Sequence, residues 1–203
     1  MVADLSSSTE TGTRRFAFLL ASARRDGNTE RLTRHAAEAL PPGDAQRWLH
    51  LADLPLPPFA DIRHSVGVYP EPTGNERILF DATLEATDLV FAVPLYWYSV
   101  PASAKTYLDY WSGWLRVPDA DFRRRMAAKT LWVVCVLSDE DPRRADPLIG
   151  TLEITADYMA MGFGGVLLGY GNRPGDVLTD TAALERASTF FQRPLRPLRQ
   201  LAD

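Results

Sequence analysis

The 203-residue sequence predicts a three-layer α/β fold, a parallel five-stranded sheet with helices on both faces. Three observations predict it. Short apolar runs alternate five times with segments of helical periodicity. Two of those runs, Leu89 to Val93 and Leu131 to Leu137, are apolar at every position, as strands buried on both faces are. No internal repeat or composition shift marks a second domain, and this length suits one. The expected organisation is a flexible Ser/Thr-rich tail over 1–13, a single domain over 14–193 and a Pro/Arg-containing tail over 194–203. Right-handed crossovers leave few layouts, and strand order 2-1-3-4-5 is the one expected.

The elements follow in order. Phe16 to Leu20 reads as the first strand. Thr29 to Leu40 turns helical, with Leu32, Ala36, Ala39 and Leu40 on one face, and Pro41-Pro42 stops it. Gln46 to Leu51 is a weaker strand. Ala52 to Gly74 carries five prolines and reads as a long functional loop. Asn75 to Ala86 is a helix and Leu89 to Val93 the third strand. Pro101 opens a helix that runs to about Leu115, with Ala104, Tyr107, Leu108, Trp111 and Leu115 as its stripe. Leu131 to Leu137 is the fourth strand. Asp146-Pro147 reads as a cap followed by a helix-starting proline; that helix runs past Met159, with Gly162 as its stop. Phe163 to Tyr170 is the fifth strand. Leu178 to Phe191 closes the domain as one helix, with Leu184, Ala187, Phe190 and Phe191 inward.

Composition excludes several classes. The net charge of −4 does not draw the chain to nucleic acid. No apolar stretch approaches a membrane span and the N-terminus lacks the core of a secretory signal, so a cytoplasmic protein is expected. Cys135 is the single cysteine, which excludes an internal disulfide and the usual iron–sulfur and thiolate zinc sites. His35, His50 and His64 lack metal-ligand spacing, so no metal site is expected. Twenty of the 22 basic residues are arginine, a composition bias.

Ligands of such a sheet bind beyond the carboxyl ends of its strands, at the point where the strand order reverses. After the first strand, Ser22 to Thr29 feeds a helix N-terminus, where free N–H groups and the helix dipole favour an anion. Ser22, Asn28 and Thr29 add neutral donors, Arg24 a charged one, and Gly27 a turn without a side chain. The plain alternative is a capped helix start, with Asn28 as cap. Neither a dinucleotide glycine fingerprint nor a nucleotide-triphosphate loop is present. After the third strand, Tyr96, Trp97 and Tyr98 follow one another between Pro94-Leu95 and Ser99-Val100-Pro101. Three neighbouring aromatics point in different directions. They suit a flat ligand better than a core; the plain alternative is a surface hydrophobic cluster or a subunit contact. After the fourth strand, Ser138-Asp139-Glu140-Asp141 reads as a short acidic turn.

These motifs together, with Lys105-x-x-x-Asp109 downstream, resemble the NAD(P)H-dependent FMN reductase family, the flavodoxin-like group that includes quinone, azo-dye and chromate reductases. The likeness spans Arg15 to about Phe191. It implies the flavodoxin-like form of the fold. It implies FMN held by its phosphate at Ser22, Arg24, Gly27, Asn28 and Thr29. It places the isoalloxazine ring along Pro94, Leu95, Tyr96, Trp97, Tyr98, Ser99 and Val100, with further contacts from Ser138 and Asp139. The implied activity passes hydride from NAD(P)H through FMN to a small acceptor such as a quinone, azo compound or free flavin, in ping-pong order and without a catalytic side chain. Trp97 and Tyr98 are expected to border the substrate slot, and Phe59 or Tyr69 to wall it. The aromatic triplet is heavier than in many relatives, which often carry Asn or Gly there. The alternatives are a flavodoxin-type electron carrier and a flavin-free partner-binding module.

Other residues have plainer readings. Cys135 is a buried small hydrophobe. Arg123-Arg124-Arg125 is a solvated turn, with attraction of an NADPH phosphate as the alternative. Tyr107, Tyr110, Trp111 and Trp114 either pack in the core or form a homodimer face; the resemblance favours the homodimer.

Overall fold

The computed structural model describes residues 13–65 and 67–192. The two expected tails lie outside the described residues, Thr13 excepted. Five strands form one sheet: β1 (Arg15–Leu20), β2 (Ala45–His50), β3 (Asp88–Pro94), β4 (Thr130–Leu137) and β5 (Gly162–Tyr170). Every pairing is parallel and the order is β2-β1-β3-β4-β5, as the alternation predicts.

Side chains alternate across the pleat, so each strand feeds two cores. Phe16, Phe18, Val90, Trp132 and Val134 pack beneath α1 (Asn28–Ala37) and, later in the chain, α6 (Thr181–Ala187). Ala17, Leu19, Leu89, Phe91, Val133 and Cys135 face the opposite layer. That layer is built by α2 (Gly74–Glu85), α3 (Ala102–Trp114), α4 (Phe122–Ala127) and α5 (Asp146–Tyr158). On α3 the buried stripe is Ala104, Tyr107, Trp111 and Trp114, while Leu108 and Leu115 are only partly covered. The core reading therefore holds for three of the four aromatics of that helix. Tyr107 meets Trp111 and Trp114 edge to face, and both tryptophans meet Phe122 in the same way. Cys135 is buried as expected, and burial pushes its thiol pKa up to about 12.

Several element boundaries differ from the sequence pattern, each for a local reason. The first helix ends at Ala37, and Leu40 closes it in a turn through its N–H to the Ala37 carbonyl (3.1 Å). Arg123 to Arg125 do not form a turn; they lie in α4, which Asp121 precedes in a left-handed conformation. Asp146 is not the cap of α5. A 3-10 turn over Pro142–Ala145 runs straight into the helix, and Asp141 caps that turn by accepting the Arg143 N–H. The stop of α5 is Ala160, at φ 55°, and Gly162 already belongs to β5. The expected last helix is three pieces. Asp180 breaks it by accepting the N–H groups of both Tyr170 and Ala183, leaving 3-10 turns at Asp176–Thr179 and Phe190–Gln192 on either side of α6. Among the described residues, no helix is long and apolar enough to cross a membrane.

Candidate functional site

The parallel order reverses between β1 and β3, and the loops leaving both strands meet there in a cleft of about 210 Å³. Its walls are Ser22, Arg24, Gly27, Asn28 and Thr29 from the first loop and Pro94, Leu95 and Tyr96 from the second. Val136 and Ser138 at the end of β4, and Gly171 and Asn172 after β5, complete it. Nine of the residues singled out in the sequence thus share one cleft. Its volume is below the ~300–1,000 Å³ of closed ligand pockets. A flavin-sized ligand would therefore lie across it as an open groove. Larger cavities lie beside Asp139 and Tyr170 (about 360 Å³) and beneath the end of α2, near Arg77 and Arg125 (about 280 Å³). The second sits at the opposite end of the sheet.

The first loop leaves several donors open. Gly27, not Asn28, is the N-terminal cap of α1, and it supplies no turn: its φ of −70° is ordinary, and the left-handed residue is Asp26 at φ 49°. No side chain caps the helix start. The N–H groups of Gly27, Asn28 and Thr29 have no protein acceptor among the described residues, nor does the Arg24 guanidinium have a carboxylate partner there. Ser22 Oγ accepts the Arg24 N–H (3.1 Å), which tightens the loop. Three open donors, a helix dipole and a free arginine on one side of a cleft fit a phosphate.

Asn28 does something the sequence does not announce. Its Nδ2 donates to the Arg173 carbonyl (2.9 Å), and its Oδ1 accepts the Gly175 N–H (2.8 Å). Its side chain is a clasp holding the loop after β5. A Cβ on Gly171 would sit 2.5 Å from Asn28 Nδ2, so that close approach requires glycine. Gly171 and Asn172 follow the fifth strand, at the edge of the sheet and away from the strand-order reversal, so the strand order does not point to them.

The second loop is a tight hairpin. Ser99 donates its N–H to the Tyr96 carbonyl (3.0 Å), and Tyr96 returns the bond to Ser99 (3.4 Å). The two residues between, Trp97 (φ 49°) and Tyr98 (φ 62°), are both left-handed. Two positive φ values make this a type I′ turn, a conformation that favours Asn and Gly. Trp97 is 93% exposed; Tyr96 and Tyr98 are also exposed, with the Arg144 guanidinium 6.0 Å from the Tyr98 ring centre. Trp97, Tyr98 and Ser99 stand outside the cleft wall, and Val100 is buried in the core beneath it.

Asp139, Phe59 and Tyr69 stand away from this cleft. Asp139 does not line this cleft. It accepts the Asp141 N–H (2.9 Å), lies 3.7 Å from Arg144 and faces the neighbouring cavity, so of the acidic turn only Ser138 reaches the site. Phe59 and Tyr69 form no wall. They stack on each other (5.9 Å) and press on Gly113 of α3, with the Tyr69 hydroxyl accepting the Ile62 N–H (3.0 Å). That contact holds the proline-rich loop against the helix. Lys105 and Asp109 pair with each other on the exposed side of α3. Among the described residues no group of three His, Cys, Asp or Glu side chains could hold a metal ion.

A family model described as the flavodoxin-like fold matches residues 14–189. A Bacillus subtilis (strain 168) protein, provisionally named an NAD(P)H-dependent FMN-containing oxidoreductase, is 33% identical over 180 residues. The match covers 88% of this chain and 97% of that one. The Trp repressor binding protein of Bacillus subtilis superposes with a TM-score of 0.70 at 29% identity, over 88% of this chain and 99% of that chain. An FMN-dependent NADH-azoreductase from Bacillus anthracis str. Ames Ancestor, in complex with FMN, superposes with a TM-score of 0.61 at 14% identity, over 87% of this chain and 99% of that one. It shares the fold.

Proposed function

The chain belongs to the NAD(P)H-dependent FMN reductase family, and on that premise we propose that it is an FMN-dependent oxidoreductase that passes electrons from NAD(P)H to a small acceptor such as a quinone, an azo compound or free flavin. The observation that carries this reading is the cleft at the β1/β3 reversal, with open N–H donors on one wall and an aromatic hairpin at its edge. When bound, FMN would supply the redox chemistry between NAD(P)H and the acceptor, hydride acceptance and two-electron donation.

The protein's own residues bind and orient. The N–H groups of Gly27, Asn28 and Thr29, with Arg24, would hold the phosphate. Leu95 and Tyr96 would border the ring, with Leu95 fixed by its N–H to the Val136 carbonyl (3.1 Å). Trp97 and Tyr98, outside the cleft wall, would flank the place where donor and acceptor alternate. No side chain in the cleft needs to act as nucleophile or proton donor. The same reading includes a homodimer in the cytoplasm, with the exposed hairpin at the boundary of the two copies.

The test is an absorbance spectrum of purified protein loaded with FMN and freed of excess, followed anaerobically with NADPH and then NADH. Retained flavin peaks that bleach support the reductase. Flavin that binds and does not bleach supports a carrier, and a colourless protein refutes the cleft as a flavin site.

A further inference from the structure

Asp26 turns the chain just before α1 in a left-handed conformation, and its peptide groups are held from both sides. The Asp26 N–H donates to Glu30 Oε2 (3.0 Å), and Arg31 Nε donates to the Asp26 carbonyl (2.7 Å). Glu30 is 3% exposed, in the first turn of α1. Its other oxygen accepts from Arg34 Nε (2.9 Å) and Nη2 (2.7 Å), with His50 Nε2 3.5 Å away. Burial raises the Glu30 carboxyl, but the hydrogen bonds from Arg34 and Asp26 and the charges of His50 and Arg34 outweigh it. The net pKa is below the usual range.

A buried carboxylate at the very helix end that should receive a phosphate is at first sight misplaced, because like charges repel. Its geometry gives the reason. The peptide between Asp26 and Gly27 is planar and trans, so its C=O and N–H point in opposite directions. Drawing the carbonyl toward Arg31 turns the Gly27 N–H the other way. Drawing the Asp26 N–H toward Glu30 fixes the left-handed turn that precedes it.

We infer that Glu30 and Arg31 are positioning residues that clamp the Asp26 turn so that the Gly27 N–H is presented to the phosphate before the ligand arrives. The inference rests on the FMN reading above. It makes the affinity for FMN's phosphate depend on a carboxylate that never touches it.

Electrostatics alone and the clamp predict opposite signs for one variant, Glu30→Ala. Removing a negative charge near a phosphate strengthens binding; releasing the clamp weakens it. The experiment titrates apoprotein with FMN and with riboflavin, which lacks the phosphate, and follows quenching of flavin fluorescence. Wild type is expected to prefer FMN. Glu30→Ala should lose about tenfold in FMN affinity, comparable to one charge-assisted hydrogen bond, with riboflavin affinity unchanged. Glu30→Gln, which keeps an acceptor for the Asp26 N–H, should retain most of the preference. If Glu30→Ala does not fold, the surface variant Arg31→Met, titrated at high salt to suppress its lost charge, should show the same selective loss. A variant that binds FMN as well as or better than wild type overturns the inference, as does an equal loss for both flavins. A wild type without preference for FMN would instead refute the phosphate reading itself.

Discussion

Trp97→Asn should make the protein more stable and a poorer enzyme. A non-glycine residue in the left-handed region costs roughly 1–2 kcal/mol, and asparagine is among the residues that tolerate it best. Trp97 is 93% exposed, so the substitution gives up almost no buried surface and leaves the two hairpin hydrogen bonds in place. The expected gain is about 1 kcal/mol, or a Tm rise of about 2–4 °C for a chain of this size. Thermal and urea unfolding of the apoprotein measure it. The same variant, loaded with FMN, should lose about three- to tenfold in kcat/KM toward a planar quinone, the worth of one aromatic contact. Turnover of ferricyanide, which has no ring to stack, should be unaffected. A destabilised Trp97→Asn would refute the strain argument. Unchanged quinone turnover would refute the placement of Trp97 beside the acceptor.

Gly171→Ala forces a methyl group to within 2.5 Å of Asn28 Nδ2; it should destabilise the protein by about 1–3 kcal/mol in urea unfolding, with the loss concentrated in hydrogen exchange of the loop after β5. Lys129 is buried, donates its ammonium to the Leu84 and Ala86 carbonyls, and has its pKa lowered to about 8, chiefly by burial, with Arg125 and Arg15 adding to it against Asp88. Between that value and the ordinary 10.5 the unfolded chain keeps a proton that the native chain has released, so stability rises with pH across this window. The difference in unfolding free energy between wild type and Lys129→Met should therefore grow in favour of wild type from pH 8 to pH 10.5; a flat difference would show that Lys129 titrates normally. Cys135 should resist iodoacetamide at pH 8 in native protein and react fully in denaturant, because its thiol pKa is pushed up to about 12 in the core; rapid native labelling would contradict its burial.

The layers were legible in the sequence because they rest on periodicity. Leu89 to Val93 and Leu131 to Leu137 are apolar throughout, and both are central strands covered on both faces. The switch point followed from strand order, and with it the walls Ser22 to Thr29 and Pro94 to Tyr96. Positions governed by single backbone conformations were not legible. Asp26, Trp97, Tyr98 and Ala160 adopt positive φ without being glycine, so the glycine signal pointed to Gly27 and Gly162. Long-range polar contacts were equally silent. Asn28 reaches a loop nearly 150 residues away in sequence, and the break in the last helix depends on Asp180 accepting the N–H of Tyr170. Asp139 is placed at the cleft only by the family resemblance, while the residues themselves read as an acidic turn. The strand's end fixes where Ser138 points, whereas a local turn and Arg144 fix Asp139.

The two left-handed turns at the cleft are supported unequally, and that difference bears on function. Asp26 is held by two side chains of α1, one of them buried and itself tied to Arg34. The Trp97–Tyr98 turn is closed by one hydrogen bond of 3.0 Å and one of 3.4 Å, with a single distant cation beside it. A clamped turn keeps its geometry whether or not a ligand is present, so the proposed phosphate end of the cleft would be pre-organised and lose little entropy on binding. A turn strained by roughly 1–2 kcal/mol per residue and closed by little more than its own backbone can shift with each new neighbour. An enzyme that keeps one cofactor and exchanges a nicotinamide for varied acceptors needs that division. On the proposed function, the phosphate end would stay fixed through each cycle, and the aromatic end would adjust to whichever planar molecule arrives.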